Sequence, residues 1–187
     1  PDGTAQCVQG LQEEIPNRIH LVKRVGKKGL GTAYLDGFRN ALNLNYDFIF
    51  EMDADFSHNP KDLIRLYGAC KDGADVAIGS RYVHGGGFKN WGLDRKFLSK
   101  GASFYVKLIT WMPIKDPTAG FIAYSRKVLE TINLDDIEFV GYAFQIEMKY
   151  AAFINGFTIK EIPITFKDRE KGTSKMTLSI ISEALPG

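Results

Sequence analysis

The chain has 187 residues, of which 44% are hydrophobic and 25% charged, values of a single globular domain with enough length to bury a core. Its formal net charge of +2 is too small to argue for a nucleic-acid partner, and what positive charge exists is local, within 89–107 and 167–175. No apolar run reaches the roughly eighteen residues of a membrane span, no secretory signal is visible, and Cys7 and Cys70 match no metal or redox spacing, so both read as buried thiols in a reducing compartment.

Taken in order, residues 5–14 read as a helix capped by Thr4, with Ala5, Val8 and Leu11 needing a surface to cover. Residues 18–25 alternate in part, Ile19, Leu21 and Val25 against Arg18, His20 and Arg24, as a strand does. A basic glycine-rich connection, K-K-G-L-G-T, then opens a helix through about residue 44. Its Gly29-Leu30-Gly31 reads equally as a turn or as a phosphate contact.

The central stretch is F-I-F-E-M-D-A-D-F-S-H-N-P at 48–60. Residues 48–52 are the kind of short apolar run that makes a buried strand. Asp53 and Asp55 follow two apart, a spacing that in extended backbone points both carboxylates to one side. Asn59 as N-cap, Pro60 and Asp62 then start a helix. Two acids at the carboxyl edge of a sheet occupy the place where open α/β folds bind ligands. Left alone they would repel. A hard cation, Mg²⁺ or Mn²⁺, removes the conflict, being typically held by carboxylates together with substrate phosphates. That points to a nucleoside diphosphate; the plainer alternative is that Asp53 caps a turn and Asp55 faces water. His58 reads as a capping or packing residue.

Next come a helix at 60–71, a strand at 76–80 with Arg81 just past it, a loop with three consecutive glycines, and a long helix at 93–111. Pro113 and Pro117 bracket a turn holding Asp116; a strand at 121–125 and helices at 126–132 and 142–155 follow. Residues 158–166 are strand-like, and Pro163 suggests an edge position. D-R-E-K-G-T-S-K and a last helix from about residue 174 end the chain. Strands alternating with helices argue for a mostly parallel sheet covered on both faces. Arg81 suits an anion, since guanidinium grips phosphate as a fork, or pairs with a nearby acid. Arg95 and Ser99, at i and i+4, share a helical face.

Seven segments in this order carry a resemblance: P-D-G-T at 1–4, K-G-L-G-T-A-Y at 28–34, M-D-A-D-F-S-H-N-P at 52–60, G-S-R-Y at 79–82, D-P-T-A-G-F at 116–121, G-Y-A-F-Q-I-E at 141–147 and E-I-P-I-T-F-K-D-R-E-K-G-T-S-K at 161–175. With them the chain resembles the polyprenyl-phosphate (dolichol-phosphate) mannose synthases, family-two glycosyltransferases of the GT-A fold. The resemblance implies one GT-A domain over 1–187, incomplete at its N-terminus, because the family's first strand-helix-strand, which binds the base and ribose, comes before P-D-G-T. It implies an inverting, metal-dependent enzyme that moves mannose from GDP-mannose to a polyprenyl phosphate.

Asp53 and Asp55 would then hold Mg²⁺ or Mn²⁺, with the Ala54 backbone against the donor. Arg81 would serve both phosphates and catalysis, Arg169 and Lys175 would close over the diphosphate, and Arg95 and Ser99 would meet the acceptor phosphate. The expected location is cytoplasmic, peripheral on the inner face of the membrane, and the last helix, with Met176, Ile180 and Ile181, is either interfacial or packed on its own domain. Competing readings are UDP-glucose as donor, a hydroxyl acceptor served by Asp116 or Glu147 as general base, and a non-catalytic fragment that binds lipid phosphate. Gln145 and Glu147 are candidates to face the sugar.

Overall fold

The computed structural model describes residues 3–26, 28–141 and 143–168. Four strands form the main sheet: β1 (Phe48–Glu51), β2 (Val76–Ser80), β4 (Ile122–Ser125) and β5 (Ile159–Pro163), in the spatial order β1-β4-β2-β5. β2 and β5 pair parallel, with Val76 opposite Ile159. β4 lies antiparallel between β1 and β2, with Ile122 opposite both Glu51 and Ile78. Three of the four strands therefore point the same way, as expected, but the inserted β4 makes two of the three ladders antiparallel.

Alternation along these strands divides the core into two layers. Ile49, Val76, Ile78, Ile122 and Tyr124 face one side, where Leu35 and Phe38 of α2 (Leu30–Asn43), Val106 of α4 (Leu93–Thr110), and Phe144 and Met148 of α6 (Ala143–Ile154) cover them. Ala77 and Ala123, of opposite parity, face Leu66, Ala69 and Cys70 of α3 (Asp62–Lys71). Small residues on that face let α3 lie close to the sheet. Leu66 is wholly buried, and trimming such a leucine to alanine costs about 2–5 kcal/mol. The remaining helix of the first layer is α5 (Arg126–Thr131).

Three expectations need correction. Residues 18–25 form no strand; their alternation is real only as half-burial of Ile19 and Leu21. Helix α1 (Thr4–Glu14) starts at Thr4 with Gly3 as its cap residue and buries none of its side chains. Cys7 on it is exposed, whereas Cys70 is buried as expected.

A second, two-stranded parallel sheet pairs β3 (Gly87–Lys89) with β6 (Thr165–Lys167). The expected strand at 158–166 is thus two strands. It leaves the edge of the main sheet after Pro163, Ile164 stays buried against α3's layer, and β6 takes β3 as its partner.

Candidate active site at the sheet edge

Because β4 runs opposite to its neighbours, the segment before it reaches the same rim as the segments after β1, β2 and β5. That brings together Asp53 and Asp55, Arg81, Asp116 and the residues of β6.

Asp55 lies in a bend over residues 54–58, Asp53 sits just ahead of it past the end of β1, and Phe56 just after them has a positive φ of 64°. What brings the two acids together is shared neighbours. The Tyr34 hydroxyl donates to Asp53 Oδ1 at 3.3 Å, and the charges of both Asp53 and Asp55 act on Tyr34 and on His58. The Ser57 amide donates to Asp55 Oδ1 at 3.0 Å, the closure of an Asx turn. Ala54 between them is exposed. His58 is a packing residue, its ring 4.9 Å from Phe121 and 5.2 Å from Phe166. Its Nε2 stands 3.8 Å from Asp53 Oδ2. Burial lowers the imidazole pKa against the pull of the two aspartates, so the ring is neutral.

Asp53 keeps 35% of its side chain exposed. A pair of hard carboxylates with a reachable face suits Mg²⁺ or Mn²⁺ when diphosphate oxygens complete the shell. Among the described residues no group of three or more His, Cys, Asp or Glu is placed to hold an ion, so a cation here would draw on substrate oxygens.

Arg81 does not present an open fork. Its Nε donates to Asp116 Oδ2 at 2.7 Å, its Nη2 to Asp116 Oδ1 at 2.5 Å and to Thr118 Oγ1 at 2.8 Å, and its backbone amide to Asp116 Oδ2 at 2.9 Å. The rings of Tyr82, Phe88, Trp91 and Phe166 surround the guanidinium at 5.5–5.9 Å. Burial alone would lower its pKa; the hydrogen bonds and charge of Asp116 more than reverse that, and the group stays cationic. Of the two readings the sequence offered for Arg81, the structure shows the pairing with a nearby acid: the fork engages a carboxylate, and Arg81 with Asp116 joins β2 to the segment preceding β4. The loop after Arg81 folds tightly beneath it, since a side chain at Gly86 would come within 2.6 Å of the Ser80 carbonyl.

Arg95 and Ser99 do share a face of α4, turned toward this aromatic cluster. Arg95 lies 4.0 Å above the Trp91 ring and donates to Asp168 at 2.9 Å. Ser99 is buried and accepts the Tyr82 hydroxyl at 2.7 Å. Arg169, Lys175 and the last helix lie outside the described residues.

Two of the expected contacts are engaged in packing. Glu147 accepts the Glu138 and Phe139 amides at 3.0 and 2.9 Å and so fastens a loop. In Gly29-Leu30-Gly31 the glycine at 31 allows close approach: its amide donates to the Val140 carbonyl at 2.8 Å, and a Cβ there would stand 2.6 Å from the Phe139 carbonyl oxygen.

A buried acid-base pair went unread in the sequence. Glu51 ends β1 two residues before Asp53 and is buried; among the described residues its carboxylate oxygens make no hydrogen bond of ordinary geometry, though the Gln145 side chain stands close enough to lower its pKa as a donor does. Lys149 on α6 is wholly buried and donates to the Ala119 and Gln145 carbonyls at 2.7 and 2.9 Å. Burial pushes the Glu51 carboxyl up to about 8 and the Lys149 ammonium down to about 8, each only partly offset by the other's charge. The signal was a charged residue inside an apolar run, F-I-F-E-M and E-M-K-Y-A-A.

The sequence model of glycosyl transferase family 2 matches residues 1–132. The chain belongs to this family. Among curated relatives of this glycosyltransferase, the polyprenol monophosphomannose synthase of Mycolicibacterium smegmatis is 48% identical over 185 residues, 99% of this chain and 70% of the relative. The undecaprenyl-phosphate mannosyltransferase of Micrococcus luteus is 44% identical over 99% of this chain and 75% of its own length. The dolichol-phosphate mannosyltransferase of Pyrococcus furiosus is 37% identical, with 50% of its length covered. Among solved structures, glucosyl-3-phosphoglycerate synthase of Mycobacterium tuberculosis in complex with Mn²⁺, UDP-glucose and phosphoglyceric acid superposes with a TM-score of 0.57 at 16% identity, over 91% of this chain and 53% of that one. That likeness fixes the GT-A fold. The family-2 chain described here thus spans about half the length of that solved structure.

Proposed function

We propose that this glycosyltransferase moves mannose from GDP-mannose to a polyprenyl phosphate with inversion, on the inner face of a membrane. The names of its mannosyltransferase relatives support the sugar and the acceptor class. One geometric observation carries the choice of a phosphate acceptor. Both carboxylates that the sequence offered as general base for a hydroxyl acceptor are tied into the fold, Asp116 by Arg81 and Glu147 by two backbone amides. A phosphate monoester, with its second pKa near ~6, is already ionised at neutral pH and needs no base.

Asp53 and Asp55 are the residues that would hold Mg²⁺ or Mn²⁺, which when bound neutralises charge on the departing diphosphate. In the transfer an acceptor phosphate oxygen forms a bond to the anomeric carbon, and the bond from that carbon to GDP breaks, its electron pair leaving with GDP. Arg95, on the rim beside Asp168, offers cationic charge on the acceptor side, where two anionic reactants must meet. Arg81 and Asp116 hold that rim in place. Arg169 and Lys175 are assigned to the donor diphosphate on the resemblance alone.

The test is transfer of radiolabelled mannose to a polyprenyl phosphate, with UDP-glucose as the competing donor. Asp53→Asn and Asp55→Asn should each lower turnover by about a hundredfold or more. Glu147→Gln should leave it within about twofold, since no base is removed. Abolished turnover in a folded Glu147→Gln variant would defeat the phosphate-acceptor reading.

A further inference from the structure

Gly31 and Gly86 are glycines because a side chain at either would strike backbone. Gly120, half-buried two residues ahead of β4, has no such reason. Its φ is not positive, and a Cβ there would meet only Gln145 Nε2, at 3.8 Å, an ordinary contact. Yet its place is central. Continuing the register of β1 and β4 two residues past Glu51 and Ile122 sets Gly120 level with Asp53. On the other side the Gly79 amide donates to the Phe121 carbonyl at 2.8 Å, which sets Gly120 level with Ser80, next to Arg81. By alternation the side chain it lacks would share a face with that of Ile122, the face α6 covers.

Two neighbours bear on the same spot. The buried Lys149 ammonium holds the Ala119 carbonyl at 2.7 Å. In a trans peptide the amide points opposite to the carbonyl. The Gly120 N–H therefore turns away from Lys149, and among the described residues it makes no hydrogen bond. Gln145 is 3% exposed, and its Oε1 has no partner among the described residues either. Buried polar groups are rarely left unmatched, and a glycine that neither turn nor packing requires costs chain entropy.

We propose that Gly120 is the floor of the hexose subsite: its bare Cα admits the sugar and its amide donates to a sugar oxygen. This rests on the donor reading above and deepens it. The diphosphate is held at Asp53, the acceptor approaches along the rim that Arg81 and Asp116 hold, and Gly120 lies between them. Gln145 borders the same space, and its Oε1 accepts from a sugar hydroxyl.

Gly120→Ala and Gly120→Val test this in the whole chain. With alanine the thermal midpoint should stay or rise, since the substitution restricts the unfolded chain where the native φ suits it. Calorimetric affinity for GDP with Mg²⁺ should stay within about twofold, because GDP carries no hexose. Affinity for GDP-mannose should fall about tenfold with alanine and further with valine. In amide NMR spectra of the unaltered chain, the Gly120 resonance should move with GDP-mannose and not with GDP, and the Gly79 resonance should move with neither. Gly37→Ala on α2, where a Cβ meets nothing within 4 Å, should leave both affinities unchanged. Equal losses for GDP and GDP-mannose overturn the proposal, as does a Gly120→Val variant that binds and transfers like the unaltered chain. A lowered midpoint in Gly120→Ala overturns it too, since the glycine would then serve the fold. A chain that takes UDP-glucose in place of GDP-mannose defeats the donor reading alone, and the same comparison is then made between UDP-glucose and UDP. A chain that takes neither overturns both.

Discussion

Two buried acid-base pairs stand at the rim of the sheet, and they are built differently. Asp116 and Arg81 meet through a complete set of hydrogen bonds, with Thr118 and the Arg81 amide taking part. Glu51 and Lys149 are just as deeply buried, yet the lysine bonds to backbone carbonyls, and among the described residues the carboxylate closes no bond of ordinary geometry, with the Gln145 side chain beside it. Burial is thus not what makes a pair a structural joint. The first pair is fixed in charge and shape, while the second can change its protonation near neutrality, two residues from Asp53.

The largest effect should come from opening the completed pair. Asp116→Ala leaves Arg81 buried without its counter-charge and should cost about 3–5 kcal/mol in denaturant unfolding. Replacing both together, Arg81→Met with Asp116→Leu, should recover most of that loss. If the double variant is no better than the single, the pair is not a self-contained unit.

A somewhat smaller effect, on the order of a few kcal/mol, is expected from titrating the other pair. Glu51 in the native chain keeps its proton up to about 8, whereas the unfolded chain releases it near 4.5. Stability should therefore fall as pH rises through that interval. Lys149 is the mirror case: the native chain loses a proton near 8 that the unfolded chain keeps to about 10.5, so stability should rise again above 8. The thermal midpoint followed against pH should show a trough near 8. Glu51→Gln should flatten its acid limb and Lys149→Met its alkaline limb. A curve that Glu51→Gln leaves unchanged would remove the contrast between the pairs.

The smallest effect concerns the link from this region to the acids. Tyr34→Phe deletes the hydrogen bond to Asp53 at 3.3 Å and should cost about 0.5–1.5 kcal/mol. If Tyr34 also orients Asp53, calorimetric Mn²⁺ affinity in the presence of GDP should fall by a few-fold while the pH trough stays where it was.

What the sequence made legible was local. The short apolar run at 48–52 and the segment 76–80 placed two strands to within a residue, and Asn59-Pro60 marked the approach to α3. Residues 18–25 alternate as well, but a strand requires a ladder partner, which no local pattern reveals. The pairing of Gly87 with Thr165 escaped for the same reason. For Arg81 the sequence left two roles open, a phosphate or a nearby acid, and only the fold names the acid, because Asp116 lies 35 residues along the chain. Glu51 and Lys149 were visible as charges in apolar runs, yet only the fold shows that one layer buries both.

The reversed direction of β4 also decides where the protein can be altered safely. Extra residues threaded in ahead of Ile122 would land among the reactants and alter selectivity. The chain past Ser125 emerges at the opposite end of the sheet, where α5 begins at Arg126 and the Arg126 amide meets the Asp47 carbonyl at 2.7 Å. A fluorophore or affinity handle belongs on that quiet side, and loop diversification aimed at new acceptors belongs on the other.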